Sequence, residues 1–317
     1  MSETDYLVER RILKKSRSRW RLTAFLVAAV ALIGAGYWQF GRELVTEHQT
    51  HIARIDVRGV ITGERTTLDL IKRVKDSKAR AALVVIDSPG GTVTGSDALY
   101  TALRDLSSTM PVVAVVDGTA ASGGYIAALG TDRIIARRTA IVGSIGVLFQ
   151  YPNIVRLLDT LGVKMEGVKS SPLKAAPNPV ETTTPEARAA LEAVVMDTFG
   201  WFKDLVRERR ALSDSELAQV SDGRIFTGKQ GLALKLVDSL GDDKDAIAWL
   251  EQEKGLPKNL KVKRYRAKNS LEPLDLVNQA ANLAQAMGFE LLAGLLQRSA
   301  QENQGLVLDG LLVLWHP

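Results

Sequence analysis

Gly-Thr-Ala-Ala-Ser-Gly-Gly-Tyr-Ile-Ala-Ala, residues 118–128, is the stretch from which the fold of this sequence is best predicted. An apolar run, Val112 to Val116, precedes it and predicts a buried strand. Small residues with helical character follow, so Ser122 is predicted to lie where a strand ends and a helix begins. A sharp turn there exposes the serine hydroxyl and lets the amide of Gly123 face an oxyanion. The alternative is that Ser122 only caps the helix.

Apolar runs of strand length alternate with helical patterns along most of the chain. Fully apolar strands separated by helices are typical of a parallel sheet with helices on its faces. The sequence therefore predicts an α/β fold. Strands are predicted at 52–57, 82–86, 112–116, 134–136 and 163–168, and helices at 67–75, 98–106, 152–161, 185–210 and 244–254. Residues 224–228 predict a further strand and a turn into a helix that carries Leu232 and Leu236.

A second glycine-rich turn, Asp87-Ser88-Pro89-Gly90-Gly91, follows the strand predicted at 82–86. The carboxyl ends of parallel strands meet at one edge of a sheet, where functional groups collect. We therefore expect the Gly90-Gly91 turn beside Ser122 and Gly123, with backbone N–H groups from both turns forming an oxyanion hole. The alternative is an ordinary turn without catalytic function.

The composition excludes several classes of active site. With no cysteine among 317 residues, disulfides, thiol nucleophiles and thiolate metal sites are excluded. The three histidines, His48, His51 and His316, lie outside the central motifs, so a Ser-His-Asp triad or a histidine-based metal site is not expected. No cofactor is implied. Much of the net charge of +5 comes from seven Lys or Arg between Arg10 and Arg21, and no basic stripe indicates nucleic-acid binding.

Without a suitable histidine, a lysine is the expected general base for a serine nucleophile. An ordinary lysine, with a pKa of about 10.4, acts as a base only when desolvation or its neighbours favour the neutral amine. Lys174 is the candidate, because it is the last charged residue before the apolar, proline-bounded stretch from Ala175 to Val180. The alternative is that Lys174 is one more solvated surface group.

Residues 22–40 carry no charge and predict a membrane anchor. As a helix they extend roughly 28 Å, close to the hydrocarbon thickness of a bilayer. Trp20, Tyr37 and Trp38 match interfacial anchors, and the basic segment before residue 22 predicts a cytoplasmic N-terminus with the body outside the cytoplasm. A cleavable signal peptide is the rival interpretation, which the long basic region and the poor cleavage site disfavour.

Five motifs in order resemble one known family: Asp-Ser-Pro-Gly-Gly at 87–91, Ala-Ser-Gly-Gly-Tyr at 121–125, Gly-Ser-Ile-Gly at 143–146, Lys174, and Gly-Arg-Ile-Phe-Thr-Gly at 223–228. Residues 52–255 are similar to the short form of the signal peptide peptidase A family, peptidase family S49. The resemblance implies a Clp/crotonase-like domain, a ββα-type superhelix, behind the N-terminal transmembrane helix.

The resemblance also implies a role for each site residue. Ser122 is the implied nucleophile, Lys174 the general base, and Ser144 the hydrogen-bond partner that holds the lysine. Backbone N–H groups of Gly123 and of the Gly90-Gly91 turn are the implied oxyanion donors.

The resemblance further implies a homo-oligomeric ring, with eight subunits in one member, in which neighbouring subunits share each active site. The implied substrates are remnant signal peptides at the outer face of a bacterial inner membrane.

Two other functions are compatible with parts of the sequence. One is a crotonase-like acyl-CoA enzyme, which the anchor and the lack of a carboxylate in the glycine turns disfavour. The other is a catalytically inactive membrane scaffold.

The predicted organisation is a basic segment (1–21), an anchor (22–40), a linker (41–51), a protease domain (52–255) and a C-terminal extension (256–317). The apolar end of that extension either occupies the substrate groove, seals subunit contacts or packs on its own domain.

Overall fold

The computed structural model describes residues 49–266 and the backbone of residues 312–314. The chain divides into two compact units, Met1–Thr50 and His51–Pro317. The anchor predicted at residues 22–40 lies outside the described residues. Within the described part, no helix is both long enough and apolar enough to cross a membrane.

The described residues form a mixed, mainly parallel sheet, which confirms the α/β class. The strands are β1 (His51–Ile61), β2 (Ala79–Thr92), β3 (Val112–Ala121), β4 (Arg133–Ala136), β5 (Ile141–Gly143), β6 (Ile225–Thr227), β7 (Ser239–Leu240), β8 (Val262–Tyr265) and β9 (Leu312–Leu314). Their order in the sheet is β6-β5-β3-β2-β1-β8, with β4 paired to β3 and β7, and β9 paired to β2. All pairs are parallel except β5–β6 and β2–β9.

Eight described helices connect or flank these strands. They are α1 (Arg65–Lys75), α2 (Val93–Ser107), α3 (Gly123–Leu129), α4 (Val155–Thr160), α5 (Pro185–Arg210), α6 (Asp214–Val220), α7 (Gly228–Ala233) and α8 (Asp243–Glu253). Side-chain caps define several starts: Thr92 accepts from the amide of Gly95, and Thr184 accepts from that of Ala187. Ser213 and Glu216 form a capping box that begins α6.

Both faces of the central strands are buried, which explains their uninterrupted apolar sequences. On β2, Ala82, Val84 and Ile86 belong to the core beneath α1, α2, α3 and α5. The alternate residues Leu83 and Val85 face a second core that α8 closes with Ala246 and Leu250. Because the helices cover both faces, the carboxyl ends of the strands are left to form the site.

The structure differs from the sequence-based elements at three places. No strand forms at 163–168, where the chain is irregular and exposed. Strand β2 continues through the predicted turn at 87–91, because Gly90 and Gly91 pair with Val60 and Ile61 of β1. Strand β8 lies beyond the predicted domain boundary at residue 255, yet it pairs with β1 in the same sheet.

Candidate active site

Ser122 sits at the turn between β3 and α3 with φ 53° and ψ −116°, a strained conformation for a residue with a side chain. Ser122 occupies the N-cap position of α3, but its side chain makes no capping hydrogen bond to that helix. Its amide donates to the carbonyl of Gly143 (2.8 Å), while Tyr125 and Ile126 donate to its carbonyl. The backbone is therefore fixed on both sides, and the residue is only 1% exposed.

The Gly90-Gly91 segment, which we call the glycine turn although it belongs to β2, lies against Gly123, as the sequence predicts. A Cβ added to Gly123 would lie 3.1 Å from the Gly91 nitrogen and 3.2 Å from Gly90 Cα. A Cβ on Gly91 would lie 1.8 Å from the carbonyl oxygen of Ile61, so only glycine fits where β1 and β2 approach.

The two glycine amides of this turn are not equivalent. Ser88, which is fully buried, donates its hydroxyl to the carbonyl of Gly59 (2.7 Å) and accepts from the amide of Gly90 (3.1 Å). The Gly90 N–H is therefore engaged within the protein. Of the three predicted oxyanion donors, the Gly90 amide thus stabilises the turn, and the amides of Gly91 and Gly123 remain the candidates.

Ser96 supports the same region from α2. Its hydroxyl donates to the carbonyl of Thr92 (2.8 Å) and lies 2.2 Å from the position of a Gly123 Cβ. Neither Ser88 nor Ser96 was predicted from the sequence to belong to the site. Their signal in the sequence is weak, because a serine near a glycine turn is common in loops that have no catalytic function.

Ser144 follows β5 and lies next to the nucleophile turn. Ala121, the residue before Ser122, pairs with Gly143, the residue before Ser144. Ser144 has φ 52°, is 8% exposed, and donates its amide to the carbonyl of Arg224 (2.9 Å). The structure thus brings Ser122 and Ser144 together from separate parts of the sequence.

Lys174 is the predicted site residue that one copy of the chain does not connect to the others. It lies on an exposed turn, where its amide donates to the carbonyl of Ser171 (3.1 Å). Among the described residues, no hydrogen bond or ion pair joins its ammonium group to Ser122 or Ser144. The neighbouring Lys169 instead pairs with Glu181.

The segment that carries Lys174, residues 148–183, which we call the lysine arm, exposes many apolar side chains. Its helix α4 buries none of its residues. Exposed members include Leu161 (65%), Met165 (58%) and Val168 (107%). Such a concentration of exposed apolar residues in one segment is a candidate interaction surface.

The backbone of β9 pairs with the glycine turn on the side opposite β1. Leu312, Val313 and Leu314 pair antiparallel with Thr92, Gly91 and Gly90. Strand β3 leaves β2 after the pair Ser88 and Ala120, so β9 takes the place beside β2 that β3 vacates. This pairing is compatible both with occupation of the groove and with packing of the tail on its own domain. The pairing also shows that this edge accepts an extended chain.

The described histidine, His51, lies far from this turn in the sheet. It begins β1, whereas Ser122 follows the carboxyl end of β3, and the strands between them are parallel. His51 is buried, lies 2.9 Å through Nε2 from the Tyr265 hydroxyl and stacks on that ring. His51 is therefore not placed to act as a base for Ser122, and His48 and His316 lie outside the described residues.

The chain is similar to known proteases over much of its length. The family model described as peptidase family S49 matches residues 104–257. A protease candidate from Synechocystis sp. is 40% identical over 213 residues, which cover 67% of this chain and 77% of the relative. The chloroplastic serine protease SPPA of Arabidopsis thaliana is 32% identical over 200 residues, covering 62% of this chain and 29% of that protein.

Among solved structures, the chain is similar to a serine-to-alanine variant of a membrane-bound stomatin-specific protease. The identity is 16%, and the match covers 69% of this chain and 98% of that chain with a TM-score of 0.44. A likeness this loose leaves the Clp/crotonase-like superhelix a prediction.

Proposed function

The chain belongs to peptidase family S49, and from that premise we propose that it is a serine endopeptidase in which Ser122 is the nucleophile and Lys174 the general base. The observation that carries the proposal is the strained backbone of Ser122, whose amide donates to the carbonyl of Gly143 and whose neighbour Gly123 packs against Gly91. Backbone strain at a strand-to-helix turn is typical of nucleophiles that stand clear of the chain.

The proposed reaction follows from these groups. Ser122 Oγ attacks the scissile carbonyl carbon, and its proton passes to the neutral amine of Lys174. The N–H groups of Gly91 and Gly123 stabilise the oxyanion of the tetrahedral intermediate. Cleavage of the C–N bond releases the amine product with the proton from Lys174. Water, deprotonated by the same lysine, then attacks the acyl-enzyme; the ester C–O bond breaks, the acid product leaves, and Lys174 returns the proton to Ser122 Oγ.

The exposure of Lys174 in one chain supports a site shared between subunits. A lysine becomes a base when burial disfavours its charged form. In a single copy, Lys174 is exposed on the lysine arm, whose apolar side chains lack cover. A second copy that covers the arm supplies this burial and brings Lys174 to the Ser122 and Ser144 of its neighbour. We therefore propose a homo-oligomeric ring, of which an octamer is one form.

The proposed substrates are peptides in extended conformation with apolar sequences. The antiparallel pairing of β9 with Gly90 to Thr92 supports binding by strand addition, in which main-chain hydrogen bonds hold the peptide. Together with the uncharged segment at residues 22–40, this supports remnant signal peptides as substrates. The proposed location is a bacterial inner membrane, with the N-terminus cytoplasmic and the catalytic domain outside the cytoplasm.

The test is cleavage of a fluorogenic apolar peptide by the full chain and two variants, Ser122→Ala and Lys174→Ala. Both variants should be inactive while keeping the melting temperature and the oligomeric state of the parent. Lys164→Ala, which removes another exposed lysine of the same arm, is the matched control and should remain active. An active Lys174→Ala contradicts the assignment of the base. A parent that is folded and oligomeric but inert favours the scaffold.

Mixing the two inactive variants tests subunit sharing. If each site takes its serine and lysine from different chains, some mixed rings contain intact pairs, so activity should return after subunit exchange. Continued inactivity, with exchange shown by mass spectrometry of the mixed rings, contradicts a shared site.

A further inference from the structure

The pairing of β2 with β3 contains an irregularity just before the nucleophile. Ile86 pairs with Val116, and the next pair is Ser88 with Ala120. One residue of β2, Asp87, therefore faces three residues of β3, namely Asp117, Gly118 and Thr119. Bulges of this kind bend a strand and redirect the residues that follow.

This bulge changes the neighbour of β3. Before it, Val113 to Val116 pair with β4. After it, Thr119 to Ala121 pair with β5. The change of partner brings Ser122 to β5, where its amide donates to the carbonyl of Gly143, beside Ser144. The geometry of the bulge therefore sets where the nucleophile lies relative to Ser144.

The Asp87 side chain fills the bulge. Its Oδ1 accepts the backbone N–H of Thr119 at 3.0 Å, an amide that has no strand partner on the β2 side. A Cβ on Gly118 would lie 2.3 Å from the same oxygen, so the carboxylate packs directly on the Gly118 backbone. The other carboxylate of the bulge, Asp117, points outward to Arg137 (2.6 Å).

We propose that Asp87 is a positioning residue that sets the placement of Ser122 by holding the β3 bulge through the Thr119 amide. The inference rests on the proposed role of Ser122. Asp87 acts through the backbone and takes no part in the chemistry. The segment from Thr119 to Ser122 transmits its effect, since Ala120 and Ala121 are fully buried and paired with β5.

The test compares Asp87→Ala with Asp87→Asn in the full chain, using kcat, KM and the melting temperature. Asp87→Ala should lower kcat about 100-fold at unchanged KM, since small displacements of reacting groups have effects of this size. Asp87→Asn keeps an oxygen that can accept the Thr119 amide, so it should restore most of kcat. Asp117→Ala is the control on the same bulge and should leave kcat within a few-fold of the parent, as expected for an exposed ion pair.

A double-mutant cycle with Gly118→Ala adds a second test. Alone, the new methyl group displaces the carboxylate and should lower kcat at unchanged KM. In the Asp87→Ala background the carboxylate is gone, so Gly118→Ala should cost little more. Additive losses overturn the proposal. If Asp87→Ala does not fold, Gly118→Ala carries the test.

An unchanged kcat in folded Asp87→Ala or folded Gly118→Ala, with only a lower melting temperature, shows that Asp87 merely stabilises the fold and overturns the inference. Failure of the proposed function gives a different result. In that case either the parent is inert or Ser122→Ala is still active, whatever the Asp87 variants do.

Discussion

Gly123→Ala tests the oxyanion hole, because the added methyl group meets the groups that form it. Its Cβ would lie 2.2 Å from Ser96 Oγ, 3.1 Å from the Gly91 nitrogen and 3.2 Å from Gly90 Cα. Ser96 cannot rotate away without losing its hydrogen bond to the Thr92 carbonyl. The glycine turn must therefore move back by a few tenths of an ångström, which withdraws the Gly91 N–H from the oxyanion.

Two effects of different size follow. Overpacking a buried site costs about 1–3 kcal/mol of folding free energy. For a domain of this size that corresponds to a fall in melting temperature of about 2–12 °C. Loss of one oxyanion donor lowers kcat by about 10²–10³-fold, or about 2.7–4 kcal/mol of transition-state stabilisation. Below the melting transition, the loss of activity should therefore exceed what unfolding explains.

The assay is kcat on the apolar fluorogenic peptide, beside thermal unfolding, for Gly123→Ala with and without Ser96→Ala. Removing Ser96 Oγ relieves the 2.2 Å contact but not the contacts to Gly90 and Gly91. The double variant should regain stability and keep the low kcat. A folded Gly123→Ala with the kcat of the parent would refute this account of the oxyanion hole. Gly200→Ala, whose Cβ meets nothing within 4 Å, is the control for adding a methyl group and should stabilise α5 by about 0.5–1 kcal/mol.

Three further predictions concern stability and the tail. A hydrogen bond from Lys235, aided by Ser213, lowers the pKa of Glu216 from 4.5 to about 2, so its contribution to stability is complete above pH 4.5 and is lost as pH falls towards 2. Glu216→Gln should therefore weaken the dependence of the melting temperature on pH between 4.5 and 2. If the variant and the parent lose the same melting temperature over that range, the prediction is wrong. Tyr125 donates to the carbonyl of Leu236 (2.8 Å) in the core, so Tyr125→Phe should lower the unfolding free energy in urea by about 1–3 kcal/mol, and an unchanged value shows that the bond contributes nothing. Deleting residues 311–317 removes β9 from the glycine turn. The truncated chain should then cleave the peptide faster than the parent when the peptide concentration is low. Equal rates would contradict the idea that β9 and the substrate compete for this edge of β2.

The sequence predicted the placement of Ser122 because the determining signals are local. A five-residue apolar run, a serine and two glycines define the end of a strand and the start of a helix without distant contacts. The Asp87–Gly91 segment was harder to predict. Its glycines indicate a turn, but pairing with Val60 and Ile61, distant in the sequence, keeps it extended. Pairing of that kind has no local signature.

Strand β8 and helix α6 were not predicted, for different reasons. Strand β8 reads Val-Lys-Arg-Tyr and pairs, among the described strands, only with β1, so its alternating polar residues resemble a basic linker. Helix α6 does have a recognisable start in the sequence, the capping box of Ser213 and Glu216. The relation of Lys174 to Ser122 remains a prediction, because one chain leaves the lysine on an exposed arm.

The most direct test of the central claim is to identify the residue that forms the covalent adduct. The full chain is treated with a serine-reactive fluorophosphonate, digested, and the modified peptide is sequenced by mass spectrometry. The account predicts one adduct, on Ser122, which forms at a much lower rate in Lys174→Ala and at an unchanged rate in Lys164→Ala. An adduct on another serine, in a preparation whose peptide cleavage the reagent abolishes, would contradict it.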